Sequence, residues 1–423
     1  MSVLPRHLLP DSAEESPEGH LMVGGVDTLD LAAEFGTPLF VYDEDHLRER
    51  CREAVREFGE GAVYATKAFL CRAMARLAHE EGMRLDVATG GEMSVALAAG
   101  VPADRLVFHG NNKSEDELQM ALEVGVGRLV VDNFDELDRL ERLTASRHDK
   151  VPVLLRITPG VSAHTHEYIS TGEDDSKFGF TVSTELAVAA VERASSIPGI
   201  DLQGVHAHIG SQVYRVDAFA RAFEVLADFS RPYQFGEICI GGGLGVAYIE
   251  EERAPTIAEW AKTLKDAVSS AGVDGLISVE PGRSIVANAA VTLYTVGTIK
   301  RLPGIRTYVA VDGGMSDNPR PVLYGSGYET FLPRAVFHDR DREVRLVGKH
   351  CESGDILVRE GLVPSDIRVG DIISTPVTGA YGQSMGSNYN KILKPAVVFV
   401  RGGEARLVVR RETFDDLLAT DVG

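Results

Sequence analysis

Tyr64-Ala65-Thr66-Lys67 closes a short apolar run with a primary amine. At the end of an apolar strand such an amine can face a pocket and be available for Schiff-base formation. A lone lysine there is otherwise a surface charge at a helix start. His206 and His208 stand two apart in His206-Ala207-His208-Ile209-Gly210-Ser211-Gln212, so in a strand both rings project from one side. A His-x-His pair can bind a metal, but no companion HExxH-type motif accompanies it and no metal is expected. A flat ring surface for stacking is the stronger reading. Gly241-Gly242-Gly243-Leu244-Gly245 is not a dinucleotide fingerprint, because Val246 stands where GxGxxG needs its last glycine, and no GxxxxGK loop occurs. It is a run of unhindered amides able to wrap an anion. Glu280-Pro281-Gly282-Arg283 adds a second such turn with one carboxylate and one guanidinium.

The elements that must position these residues alternate between two periods. From about Gly61 to Pro281, β-like runs fall at Ala62–Thr66, Met83–Ala88, Arg105–His109, Arg128–Asp132, Val151–Ile157, Ile200–Ile209, Glu237–Ile240 and Leu276–Glu280. Between them apolar residues recur at helical spacing, as in Leu70, Met74, Leu77 and Ala78, or Phe219, Phe223, Leu226 and Phe229. This count and length predict an α/β (β/α)8 barrel over 37–284, with a doubly wound open sheet as the competing fold. In a barrel, active sites are built at the C-terminal strand ends, where the singled-out residues fall, and the turns after strands seven and eight commonly take phosphate.

After Ser284 the pattern changes to Val/Thr/Tyr-rich runs (VTLYTVGTI, TYVAVDGG, DIISTPVTG, PAVVFV, ARLVVR) separated by turns. They predict an all-β barrel or sandwich domain from 1–36 and 285–423, with His20–Thr28 joining it and a short closing helix at Arg411–Leu418. The acidic stretch Asp11–Glu18 reads as a solvated tail.

With 43 basic against 63 acidic side chains the formal charge is −20, which opposes nucleic acid or an anionic membrane as partner. The four cysteines, Cys51, Cys71, Cys239 and Cys351, form no CxxC pair and no zinc or disulfide pattern. No secretory h-region is visible at the start, and the uncharged run Ser284–Ile299 is shorter than the ~20 residues a spanning helix needs. A cytoplasmic protein is expected.

An amine, an anion cradle and an acid around one barrel mouth point to pyridoxal phosphate. That cofactor needs a lysine for its aldehyde, a site for its phosphate and a group facing its pyridine nitrogen. Glu280 suits the last place, because a carboxylate keeps that nitrogen protonated.

The motifs YATKAF, DVATGGE, HGNNKS, THEYISTGEDDSKFGF, HAHIGSQ, GGGLG, EPGRSIV, VDGGMSDNPRPVLY, CESGD and GAYGQSMGSNYN occur in that order. In them the chain resembles the fold type III pyridoxal-phosphate decarboxylases, and among these the diaminopimelate decarboxylases, from about Gly36 to Thr413. The resemblance implies decarboxylation of meso-2,6-diaminopimelate to lysine and carbon dioxide. It further implies that Lys67 holds the cofactor and His208 stacks on its ring. Ser211, Gly242, Gly243, Gly245, Gly282, Arg283 and Tyr381 surround the phosphate, while Glu280 faces the pyridine nitrogen. Arg283, Arg320 and Tyr324, beside Tyr381, grip the retained carboxylate; Glu352 pairs with the neighbouring amino group. Cys351 donates a proton, supplied across the interface of a homodimer. The partners expected are thus an amino-acid substrate and a second copy of the chain.

Two departures flank the site: Lys349-His350 precede Cys351 where many relatives have Gly-Pro, and Thr89 replaces a more usual serine. NYNKILKP also lacks a frequent Arg-Pro pattern. Guanidinium forks and a nearby glutamate suit a distal amino-acid end, which favours diaminopimelate over ornithine, arginine or carboxynorspermidine. The alternatives are a decarboxylase of one of those substrates and a metal-dependent barrel hydrolase using His206 and His208. A third, a non-catalytic regulator of this fold, is expected to lack Lys67 or Cys351. Asp86, His109 and Asn111 read as supporting residues, and His164 and His166 as a solvated loop or lid.

Overall fold

Eight short apolar runs, each too short to be stable alone, become the staves of one closed barrel. The structure, a computed structural model, describes residues 3–161 and 174–423. The expectation for His164 and His166 lies outside the described residues. The chain divides into two compact units, Arg50–Gly245 with Ala254–Ser284, and Met1–Glu49 with Val246–Arg253 and Ile285–Gly423.

The first unit holds strands β1 (Val63–Ala65), β2 (Arg84–Val87), β3 (Leu106–Phe108), β4 (Arg128–Val131), β5 (Val151–Thr158), β6 (Ile200–His206), β7 (Glu237–Cys239) and β8 (Leu276–Ser278). Each pairs in parallel with the next. The ring closes where Ala62 bridges Val279, with Val63 N donating to Val279 O at 2.9 Å and Ala65 N to Pro281 O at 3.1 Å. All eight expected strands are present, and closure decides for the barrel over the open sheet. Val63, Val107, Val130, Leu154 and Cys239 meet inside it as buried filling.

The intervening helices bury the expected faces: Met74, Leu77 and Ala78 on helix Arg72–Glu80, and Phe219, Phe223 and Leu226 on Asp217–Ser230. Several start where the sequence supplies a cap. Ser114 with Glu117, and Thr256 with Glu259, form reciprocal capping boxes before Glu115–Val124 and Ile257–Ala271. Thr89 likewise caps Gly90–Ala98, its side chain accepting from Glu92 N.

The second unit is built on a mixed sheet of β9 (Ala290–Leu302), β10 (Arg306–Val311), β11 (Arg342–Val347), β12 (Ile356–Val363), β13 (Ile372–Pro376), β14 (Ala396–Arg401) and β15 (Glu404–Val409). The strand Leu39–Asp43, inside the 37–284 span expected for the barrel, lies instead in this sheet, antiparallel to β9 and parallel to β14. Its five residues are all buried, which suits a strand covered on both faces. β11 and β12 lie outside the expected runs because charges interrupt their apolar pattern. His20–Thr28 does form strands, at Leu21–Val23 and Val26–Asp27, and Phe414–Leu418 is the short helix near the end.

One expectation fails outright. Asp11–Glu18 is no solvated tail: Ala13 is fully buried, Ser12 N donates to Asp43 Oδ2 at 3.1 Å, and Glu14–Glu15 pairs with Leu21–Met22. Local composition conceals it because the tie is to residues some thirty positions on.

At the barrel seam a side chain on Gly61 would collide with the carbonyl oxygen of Ile277. Gly61→Ala is therefore expected to destabilise the protein by roughly 1–3 kcal/mol in urea unfolding. Gly236→Ala, whose new methyl would meet only Gln203 O at 3.8 Å, should be close to neutral.

Candidate active site

Strand ends of the barrel bring together a buried carboxylate and two imidazoles. Glu280, just past β8, is 6% exposed. Its Oε1 lies 2.9 Å from Nε2 of His109, beyond β3, and its Oε2 lies 3.0 Å from Nε2 of His206 on β6. Burial alone pushes the Glu280 carboxyl up, but the two imidazoles outweigh it and hold it well below the usual carboxylate range. His109 answers in kind. Burial pulls its pKa down, and the carboxylates of Asp86 and Glu280 bring it out above the ordinary histidine value. Asp86 Oδ1 on β2 sits 3.7 Å from His109 Nε2. Its own pKa is raised to about 6 by burial. His206 is pulled down to about 4 by burial, so it is neutral at neutral pH and donates from Nε2.

Lys67 lies on the turn Thr66–Ala68 directly after β1 and is exposed. Its charge acts on both Asp86 and His208. Gly282 packs against that turn so closely that a methyl added there would stand 2.9 Å from Ala65 O and 3.1 Å from Ala68 Cβ. His208 is half-buried, and its Nδ1 accepts the backbone N–H of Gly242 at 3.3 Å. Burial, then the charge of Lys67, drives its pKa well down, which leaves a neutral flat ring.

The glycine turn is as crowded as its sequence implies. A side chain at Gly242 would strike Glu280 O, and one at Gly243, held at φ +113°, would strike Gly210 O. Only glycine brings the backbone this close. Val213 N donates to Gly243 O at 2.9 Å and Gly245 N to Val213 O at 3.0 Å, which locks this turn to the loop after β6. Arg283 Nη2 donates to Ser211 Oγ at 2.8 Å, tying the turn after β8 to the same loop. Ser211, Gly242, Gly243, Gly245, Gly282 and Arg283 thus converge on one region of the barrel's C-terminal end.

The remaining expected residues belong to the second unit. Arg320 opens the short helix Arg320–Tyr324 and is 4% exposed. Its guanidinium lies 4.0 Å over the Tyr248 ring, and Nη1 donates to Tyr328 OH at 2.5 Å. Tyr324 ends that helix half-buried, and Tyr381, held at φ +60°, contributes to the field at Arg320. Cys351 and Glu352 are exposed on one turn, with Cys351 N donating to Asn390 Oδ1 at 3.2 Å. The other three cysteines are buried.

Sequence reasoning underrates His109 and His206, which secure Glu280, and misses Arg156, Tyr248 and Tyr328. Arg156 has a visible signal, a cation within the apolar run Val151–Ile157. It is buried, stacks 4.1 Å over the Phe178 ring, and places positive charge near Glu280 and Asp86. His109, His206 and Glu280 also bring one donor atom each within 4.8 Å of one another, a spacing open to a metal ion. This set differs from the His206–His208 pair named from the sequence, and each of its imidazoles already faces a carboxylate oxygen.

The family of pyridoxal-dependent decarboxylases, in its pyridoxal binding domain, matches residues 44–287. Diaminopimelate decarboxylase of Bacillus subtilis (strain 168) is 46% identical over 430 residues, covering 98% of both chains. Its namesake in Mycobacterium tuberculosis (strain ATCC 25618 / H37Rv) is 46% identical over 434 residues, covering 98% of this chain and 97% of its own. The chain belongs to the diaminopimelate decarboxylase family. Among solved structures, diaminopimelate decarboxylase from M. jannaschii in co-complex with L-lysine matches with a TM-score of 0.90 at 32% identity, covering 98% of each chain.

Membership of that family makes pyridoxal phosphate the cofactor, and the residues present fit it. The fit rests on the tight glycine turn, which has no side chain to keep an anion from its backbone, and on a buried carboxylate held between two imidazoles in the barrel. Among the described residues no helix is long and apolar enough to cross a membrane.

Asp86 gives this cluster a pH signature. A carboxyl whose folded pKa is raised to about 6 destabilises the fold progressively as pH rises from its unfolded value near 4, and fully above 6. His109, raised by Asp86, contributes stability at low pH that is lost as pH rises, in the same direction. Asp86→Asn should therefore gain on the native protein by roughly 3 kcal/mol at most between pH 4 and pH 7, read by urea unfolding.

Proposed function

We propose that the chain catalyses decarboxylation of meso-2,6-diaminopimelate to L-lysine, with Lys67, His208, Glu280 and the glycine turn serving the cofactor and Arg320, Tyr324 and Glu352 serving the substrate. The observation that carries the reaction class is Glu280, held between His109 and His206 at the same strand ends as Lys67. Pyridoxal phosphate, when bound, supplies an electron sink for the bond broken at the substrate's α-carbon.

Lys67 gives the tethering amine. Glu280, anionic and fixed through both oxygens, keeps a proton on a ring nitrogen facing it, which strengthens that sink. His208 offers a neutral ring for stacking, with its Nδ1 occupied by Gly242 N–H so that the ring cannot turn freely. The glycine turn Gly242, Gly243 and Gly245, with Ser211, Gly282, Arg283 and Tyr381, surrounds the phosphate.

Arg320 is the substrate anchor. Its guanidinium is buried between two tyrosine rings, so a carboxylate reaching it is bound out of water and bidentately. Arg283 and Tyr324 complete the grip, Glu352 receives the adjacent ammonium, and Cys351, furnished by a second copy of the chain in a homodimer, returns the proton to the α-carbon. Two charges of opposite sign at the distal end distinguish diaminopimelate from ornithine, whose distal end is an amine alone.

Carbon dioxide release measured separately with meso-diaminopimelate, ornithine and arginine tests the substrate. Diaminopimelate should be strongly preferred; a preference for ornithine would overturn the assignment. Arg320→Ala is expected to raise KM for diaminopimelate by about 10²-fold, since it removes a desolvated charge partner.

A further inference from the structure

His350, the residue before Cys351, is 7% exposed. Its ring Nδ1 lies 3.2 Å from Asn390 Oδ1, and Nε2 lies 2.8 Å from Ser316 Oγ. Its backbone N–H donates to Asp355 Oδ2 at 2.9 Å, and its ring stacks on Tyr389 at 5.3 Å and 25°.

The bonding fixes the direction of the Asn390 contact. Cys351 N–H donates to the same Asn390 oxygen at 3.2 Å, so Asn390 presents its carbonyl oxygen and His350 donates from Nδ1. Nε2 stands in hydrogen-bond contact with the Ser316 hydroxyl. Asn390 itself sits at φ +50°, a left-handed conformation that asparagine tolerates better than most side chains.

Three segments meet at this one imidazole: the loop leading to Arg320, through Ser316; the Cys351–Glu352 turn, through the backbone; and the turn around Asn390. Asp355 braces two of them, its Oδ1 accepting Met315 N at 2.7 Å and its Oδ2 accepting His350 N.

We infer that His350 is a positioning residue, which through Asn390 and Ser316 holds the Cys351 turn to its own unit and so fixes where the thiol is presented to the second copy of the chain. This rests on the reading of Cys351 as proton donor. Placement of that turn matters because a donor displaced by about 1 Å can lose up to about 10²-fold in rate.

The test uses the full-length protein loaded with pyridoxal phosphate. Cys351 is the one exposed cysteine, so iodoacetamide labelling followed by peptide mapping reads its freedom directly. In His350→Ala and in Asn390→Ala, Cys351 should alkylate about three- to tenfold faster while kcat falls about tenfold and KM moves less than about threefold. The double variant should go little beyond the larger single effect, because both act through one link. His350→Gln, able to donate to Asn390 again, should recover most of the native behaviour. Native alkylation rate and kcat in folded His350→Ala and Asn390→Ala, even with a lowered Tm, would overturn the inference. If instead Cys351→Ala turned over at the native rate, the proton-donor reading would fail, while the alkylation rates would still decide the link.

Discussion

A buried carboxylate governs this structure. Placing a charge in a protein interior costs several kcal/mol unless partners and hydrogen bonds compensate it. Glu280 is compensated by His109 and His206, which come from the ends of two other strands. Asp86 and Arg156 surround that core with further buried charge. Such a cluster holds only if strands two, three, five, six and eight of the barrel keep their register. The seam at Ala62 and Val279 and the apolar filling of Val63, Val107, Val130, Leu154 and Cys239 enforce that register.

The same constraint orders the chemistry around it. Glu280 supplies negative charge through its side chain, and its carbonyl presses on Gly242 so closely that no side chain fits there. Carboxylate and glycine turn are thus one piece of backbone packing. Electrostatics separates the two histidines of strand six and its extension. His206 is tied to the acid, whereas His208 is kept neutral by burial and by Lys67. In the second unit the comparable element is Arg320, a cation made tenable in the interior by the faces of Tyr248 and Tyr328.

Much of this is legible in the sequence. Barrel strands are short, apolar and bounded by helices of a different period, so all eight can be located, and the glycine runs announce close backbone approach. What periodicity cannot give is long-range pairing. Leu39–Asp43 reads as a strand anywhere, and only its partners Ala290–Leu293 and Ala396–Val400 place it in the second sheet. The acidic Asp11–Glu18 looks like a tail because its anchor, Asp43, lies far along the chain. His109 and His206 escape for the same reason: each histidine is ordinary until strand order sets it against Glu280. His350 stands next to Cys351 in the sequence, but its partners Ser316 and Asn390 lie 34 and 40 residues away.

The central claim is that the strand-end lysine carries pyridoxal phosphate. Borohydride reduction of the cofactor-loaded protein, followed by proteolysis and mass spectrometry, tests it most directly. The account predicts a phosphopyridoxyl mass on the peptide bearing Lys67 and on no other. An unmodified Lys67 peptide, or the adduct on another lysine such as Lys113, would contradict it.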